Sequence, residues 1–204
     1  MTVCIAAIAE EGKKLILAAD NMMTHIVGNN VQYQREDPDY KKIIKLNNNV
    51  YALAAGVLHV ISPVIAAVIP DVKSTSTPQE VAEILRAKLQ DFYIKKAEEE
   101  ILKPLLINLQ IFREQQRGLS DTLLSQVLTK LGNFNLDINI VIAGINQQTG
   151  NAYIGMVAGN GFLLDKTLDG AVTNGSGGEL ARFSILLSDY KNWHIRFASP
   201  KEKS

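Results

Sequence analysis

A threonine at position 2 carries two groups that can work together once Met1 is gone. Methionine aminopeptidases remove Met1 when the next side chain is small, which leaves a hydroxyl and a free α-amine on one residue. An α-amine titrates near ~8, so it can take the proton from its own hydroxyl, the threonine and N-terminal-amine form of an activated nucleophile. Many chains begin Met-Thr, and a plain N-terminal strand residue accounts for Thr2 equally well. Asp20 is a carboxylate closing a very apolar run; taken alone it is a strand-end turn residue. Lys42 lies in Lys41-Lys42-Ile43-Ile44-Lys45-Leu46. Three lysines beside a strand make a solvated edge. A lysine held against a buried aspartate would instead present a fixed positive charge, favouring the neutral amine and a developing alkoxide. Gly56 stands between an apolar run and a helical pattern, where a backbone N–H without a side chain beside it can serve an oxyanion or simply make a turn. Ser176, in Gly175-Ser176-Gly177-Gly178, sits in a loop type that binds anions or caps helices.

The remaining reactive residue types suggest less. Cys4 lies inside an apolar run and reads as core. His25, His59 and His194 have no ligand spacing, so no metal site is expected. Tyr190 and Trp193 read as packing residues.

The elements that must position these residues follow from apolar runs and their breaks. Val3 to Ala9 and Leu15 to Ala19 flank Glu10-Glu11-Gly12 and predict a β-hairpin, apolar at nearly every position as for strands buried on both faces. Asn21 to Asp39 is polar, with a turn at Gly28-Asn29-Asn30. Ile43 to Leu46 and Val50 to Ala54 bracket three asparagines and predict a second hairpin. From Val57, apolar residues recur at helical spacing, with Pro63 in an early turn. Thr77-Pro78-Gln79-Glu80 is a helix start with N-cap, first-turn proline and third-position carboxylate. Val81, Ile84, Leu85, Leu89 and Phe92 mark its apolar face, and Pro104 stops it beyond about Leu102. A further helix spans Ser120 to Leu131. Strands return at Ile138 to Gly144 and Ala152 to Val157, two weaker ones flank Leu168-Asp169-Gly170, and a helix runs from Glu179 to about Asp189. The order of strands, helices, strands and helix indicates α+β. The expected organisation is one domain over 1–198 with a tail at 199–204 that lacks order.

Composition narrows the functional classes. Of 204 residues, 47% are hydrophobic and 21% charged, ordinary for a chain with a real core. Lys plus Arg and Asp plus Glu number 21 each, so there is no global charge to draw nucleic acid or acidic membranes. The single cysteine excludes an internal disulfide and fits a reducing compartment. With no signal-peptide pattern and no apolar stretch of membrane-spanning length, the expectation is a cytoplasmic protein that binds neither membrane nor nucleic acid.

Five segments in order resemble one family. Thr2-Val3-Cys4-Ile5 with Leu17-Ala18-Ala19-Asp20 resembles the opening hairpin of proteasome β-subunits and their bacterial relatives, N-terminal-nucleophile (Ntn) hydrolases. Lys41 to Leu46 and Ala52 to Gly56 resemble their lysine strand and the strand ending in the oxyanion glycine. Ile140 to Gly144 resembles their central strand, and Asn174 to Gly178 their Gly-Ser-Gly loop. The resemblance covers most of residues 2 to 190 and is nearest an uncharacterised bacterial branch. It implies a four-layer αββα sandwich, with Thr2 as nucleophile, Asp20 orienting Lys42, Lys42 tuning the amine and hydroxyl, the Gly56 N–H lining the oxyanion hole and Ser176 supporting the α-amine. The implied reaction is amide hydrolysis of peptides or unfolded proteins, without metal or cofactor, in a homo-oligomeric ring. The sequence departs from the family in a longer first hairpin, an enlarged helical segment over roughly 77–134, and the lack of a counterpart to the Asp and Ser that follow the Gly-Ser-Gly helix; Asp189 and Ser199 stand in other contexts. The alternatives are a non-catalytic proteasome-like subunit and an Ntn amidase for a small amide.

Overall fold

The structure is a computed structural model that describes residues 2–27, 31–36, 41–115 and 118–187. β1 (Cys4–Ala9) and β2 (Lys14–Ala19) form the predicted antiparallel hairpin, with Cys4 opposite Ala19 and Ala9 opposite Lys14. The polar stretch that follows holds two strands that its composition concealed. β3 (Met22–Val27) pairs with β4 (Val31–Glu36); the turn expected at 28–30 lies outside the described residues.

β5 (Ile43–Lys45) and β6 (Val50–Ala55) make the second predicted hairpin. β6 then pairs with β7 (Asn139–Ile145), β7 with β8 (Ala152–Ala158), and β8 with β9 (Leu163–Asp165). The resulting antiparallel sheet has the order β5-β6-β7-β8-β9. β10 (Ala171–Asn174) pairs instead with β1, giving a second sheet of order β10-β1-β2. The two short strands around Leu168-Gly170 therefore belong to different sheets.

Side-chain alternation along the strands builds two cores. Val50, Ala52, Ala54, Ile140, Ile142, Tyr153 and Val157 point to one side of the five-stranded sheet. There they meet α1 (Leu58–Val68) and α2 (Pro78–Ala97) through Val60, Ile61, Val64, Val81, Leu85 and Leu89. Leu53, Ala55, Val141, Ala143 and Ile154 point to the other side, where they pack on Cys4, Ala6 and Val172 of the three-stranded sheet. A sheet covered on both faces requires apolar residues at consecutive positions, which explains the unbroken runs at 52–55 and 140–143. β2 corrects the expectation of full burial. It is an edge strand, and its residues are half-buried or exposed. α5 (Gly178–Leu187) lies against β10 and β1.

α2 starts as its sequence dictates. The Glu80 N–H donates to Thr77 Oγ1 at 3.3 Å and the Thr77 N–H to Glu80 Oε2 at 2.7 Å, a reciprocal cap worth about 1 kcal/mol. Val81, Leu85 and Leu89 are fully buried, with Ile84 and Phe92 packed at their margin. Truncating either leucine to alanine costs about 2–5 kcal/mol. The helical path continues through a wider turn at Glu98–Leu102 and a tight one at Lys103–Leu105, and ends at Leu106 with φ +59°, where Pro104 was expected to stop it. α3 (Leu109–Gln115) was not foreseen; α4 (Asp121–Asn133) was, with Ser120 as its N-cap accepting from the Leu123 N–H. These helices close a small core of Ile101, Leu102, Phe112 and Val127. Pro63 falls in the second turn of α1, on its exposed side, so the missing N–H lies toward solvent. No described helix is long and apolar enough to cross a membrane. The tail 199–204, the side chains of His25, Tyr190, Trp193 and His194, and the position near Asp189 where the last helix was expected to end lie outside the described residues.

Candidate active site

The β1–β2 hairpin brings Asp20 back to the start of the chain. The Asp20 N–H donates to Val3 O at 3.1 Å, and its carboxylate accepts from the Val3 N–H through Oδ1 and from the Met22 N–H through Oδ2 at 2.9 Å. This anchors Asp20 beside Thr2.

Lys42, next to β5, reaches in from the neighbouring sheet. It is 4% exposed, and its Nζ donates to Asp20 Oδ2 at 2.9 Å, to Met22 O at 2.6 Å and to Thr2 Oγ1 at 3.2 Å. An ammonium has three protons and no lone pair, and here three acceptors surround it. Lys42 therefore presents Thr2 Oγ1 with a positioned positive charge and a hydrogen-bond donor, and in this form has no lone pair with which to accept a proton. Burial pushes the Asp20 carboxyl up, but the hydrogen bonds from Val3, Lys42 and Met22 and the charge of Lys42 outweigh it, so it is held below the ordinary carboxylate value.

The loop before α5 clamps Thr2 from the other side. The Thr2 N–H donates to Ser176 Oγ at 3.0 Å, and the Gly177 N–H donates to Thr2 O at 2.9 Å. Gly175 has φ +95°, and a Cβ there would stand 2.5 Å from Thr2 O, so the loop comes this close only with glycine. Asn174, 6% exposed, fixes the loop's entry: its Nδ2 donates to Asn139 O at 2.7 Å, tying β10 to β7, and its Oδ1 accepts from the Gly175 N–H at 2.8 Å.

Gly56 closes the geometry. It follows β6 with φ +126°, and a Cβ would meet Asp137 O at 2.6 Å. α1 begins two residues later without a side-chain cap, so the positive dipole end of its first turn adjoins Gly56, with the Val60 N–H donated to Val57 O at 3.0 Å. Thr2, Lys42, Gly56 and Ser176 line one cavity of about 1310 Å³. All five residues singled out in the sequence thus belong to one neighbourhood, with Asp20 joined to it through Lys42.

Sequence reasoning missed several contributors. The Met22 carbonyl is a ligand of Lys42 that no side-chain type could signal. Asn174 stood within the quoted loop motif but was given no role. His59, Asp137, Arg182 and Phe183 also line the cavity; His59 could have been suspected from its place three residues after Gly56. Cys4 is core, as expected. Burial raises its thiol to about 11, with Lys42 lowering it and Asp20 raising it to smaller extents, and the side chain is 1% exposed.

Compared with known proteins, the chain matches no protein-family model and no curated protein.

Proposed function

We propose that the chain is a threonine-type N-terminal-nucleophile hydrolase that cleaves peptide bonds, with a proteasome β-like αββα sandwich. The observation that carries this reading is the placement of Lys42 Nζ 3.2 Å from Thr2 Oγ1 while the same ammonium is paired with Asp20. The sandwich reading is supported by two face-to-face antiparallel sheets, with α1 and α2 on one and α5 on the other.

After removal of Met1, the Thr2 nitrogen becomes an amine whose position is held by Ser176 Oγ. The amine takes the Oγ1 proton as Oγ1 attacks the substrate carbonyl carbon. The carbonyl π electrons move onto oxygen, and that oxyanion faces Gly56 and the first turn of α1. Lys42 stabilises the alkoxide character of Oγ1 during attack. Collapse breaks the C–N bond, the protonated Thr2 amine delivers its proton to the leaving nitrogen, and an ester remains on Oγ1. Water then attacks that ester with the amine again as base, releasing the acid and restoring the hydroxyl. The same reading places the protein in the cytoplasm as a homo-oligomeric ring acting on peptides or unfolded chains.

The test compares wild type, Thr2→Ser and Thr2→Ala on a mixed peptide library, followed by mass spectrometry. Wild type and Thr2→Ser should cleave, and Thr2→Ala should not. Cleavage that survives in Thr2→Ala would remove Thr2 as nucleophile. Turnover of small amides with no peptide cleavage would make the protein an amidase instead.

A further inference from the structure

β10 ends the three-stranded sheet, and no described strand pairs with its other side. The pairing with β1 determines which backbone groups face that side. The Ile8 N–H donates to Gly170 O at 2.7 Å, which makes Ile8 and Gly170 facing partners. Antiparallel ladders alternate, so Val172 opposite Ala6 and Asn174 opposite Cys4 also turn their N–H and C=O groups to β1. Ala171 and Thr173 turn theirs away, to the free edge.

Ala171 and Thr173 line the same cavity as Thr2 and Lys42, with Met156 of β8 on one wall and Phe183 of α5 on another. Phe183 is 63% exposed, an aromatic ring standing in water at the cavity wall. The cavity of about 1310 Å³ is larger than the ~300–1,000 Å³ usual for small-ligand sites. Two outward amides and two outward carbonyls on a strand edge match a peptide backbone, which presents the same pattern at every second residue. The lining mixes apolar Met156 and Phe183 with charged Lys166, Glu179 and Arg182, so both apolar and polar surface meets its alternating side chains.

We propose that the free edge of β10 is a peptide-docking strand, on which an extended polypeptide pairs with Ala171 and Thr173. This deepens the Thr2 hydrolase reading and rests on it for the meaning of the bound peptide as substrate. β10 leads directly through Asn174 into the Gly175-Ser176 loop that clamps Thr2. At ~3.3 Å per strand residue, a chain paired with Ala171 and Thr173 is held within a few residues of the bond presented to Oγ1.

The experiment uses the full-length Thr2→Ala chain, which prevents turnover, and an alternating leucine–threonine octapeptide capped at both ends. Amide hydrogen exchange is followed by NMR with and without saturating peptide. The N–H groups of Ala171 and Thr173 should slow by about tenfold or more, while those of Val172 and Asn174, already bonded to β1, should change little. The fully N-methylated peptide, which cannot pair with an edge, should give no protection. The proposal is overturned if the octapeptide fails to bind at millimolar concentration or binds without protecting these amides. It is also overturned if the methylated peptide protects equally. Protection that appears without peptide and grows with protein concentration would assign the edge to a second copy of the chain. Failure of the Thr2 reading is seen separately: protected β10 amides in a protein whose wild-type Thr2 never acylates would mark a peptide binder without catalysis.

Discussion

Replacing Asp20 with asparagine keeps the side chain's shape and removes its charge. In the native site Asp20 Oδ2 accepts from Lys42 Nζ and from the Met22 N–H at 2.9 Å each. An amide group at that position would point donors at donors, or force a flip that gives up the Val3 contact instead. Lys42, 4% exposed, would be left with only Met22 O and Thr2 Oγ1. Breaking a buried ion pair from one side costs about 3–5 kcal/mol. The Asp20 side chain is 25% exposed, so water replaces part of the loss and about 2–3 kcal/mol is expected. For a chain of this length that lowers Tm by about 4–12 °C. The sign of the pH dependence follows from the depressed carboxyl. Its stabilisation is complete above the unfolded value near ~3.9 and is lost as pH falls through the lower folded value. Thermal unfolding of Asp20→Asn and wild type, followed by circular dichroism from pH 7 to pH 3, should show a gap that narrows toward acid. Peptide turnover at pH 7 should fall by about a hundredfold, because Lys42 loses the partner that aims it at Thr2. An unchanged Tm at pH 7, or a gap that widens toward pH 3, would refute the ion-pair reasoning.

Three further substitutions or modifications separate stability from chemistry. Ser176→Ala removes the exposed hydroxyl that accepts from the Thr2 N–H, so unfolding free energy should move by less than about 1 kcal/mol while peptide turnover drops about 10–100-fold; equal turnover would show that Ser176 does not position the amine. Gly56→Ala puts a Cβ 2.6 Å from Asp137 O at φ +126°, and urea denaturation should show a loss of about 2–4 kcal/mol, whereas wild-type stability would contradict the close approach of β6 to the 137–138 backbone. With its thiol raised to about 11, Cys4 should have a thiolate fraction near ~10⁻³ at pH 8 and react with Ellman's reagent only after unfolding; rapid labelling of native protein would place Cys4 at the surface.

How far the sequence can be read depends on where each constraint is written. The hairpins at 4–19 and 43–55 are encoded locally, as apolar runs around Gly or Asn turns, and α2 is encoded by its Thr77–Glu80 cap. β3 and β4 were missed because the polar average of the stretch from Asn21 to Asp39 hides a local strand signal, the apolar Met22, Met23, Ile26 and Val27 and the alternation Val31-Gln32-Tyr33-Gln34. β9 and β10 were visible as short segments, but their assignment to different sheets depends on pairing with β8 and β1, which are distant in sequence. The half-buried state of β2 has the same origin, since an edge strand with an apolar sequence looks like a central one. At the site, Thr2, Asp20, Lys42, Gly56 and Ser176 could be named because their side chains, or lack of one, are of the types the proposed chemistry uses. Met22 contributes a carbonyl and Asn174 a bridge between sheets, and neither role is a property of residue type.

The central claim is that Thr2 has a competent amine and hydroxyl, and intact-mass measurement of the native protein before and after an α′,β′-epoxyketone peptide tests it most directly. The account predicts a chain lacking Met1 that gains one inhibitor mass, localised to Thr2 by fragmentation and absent in Thr2→Ala. A chain that keeps Met1, or a free Thr2 that takes no adduct, would contradict it.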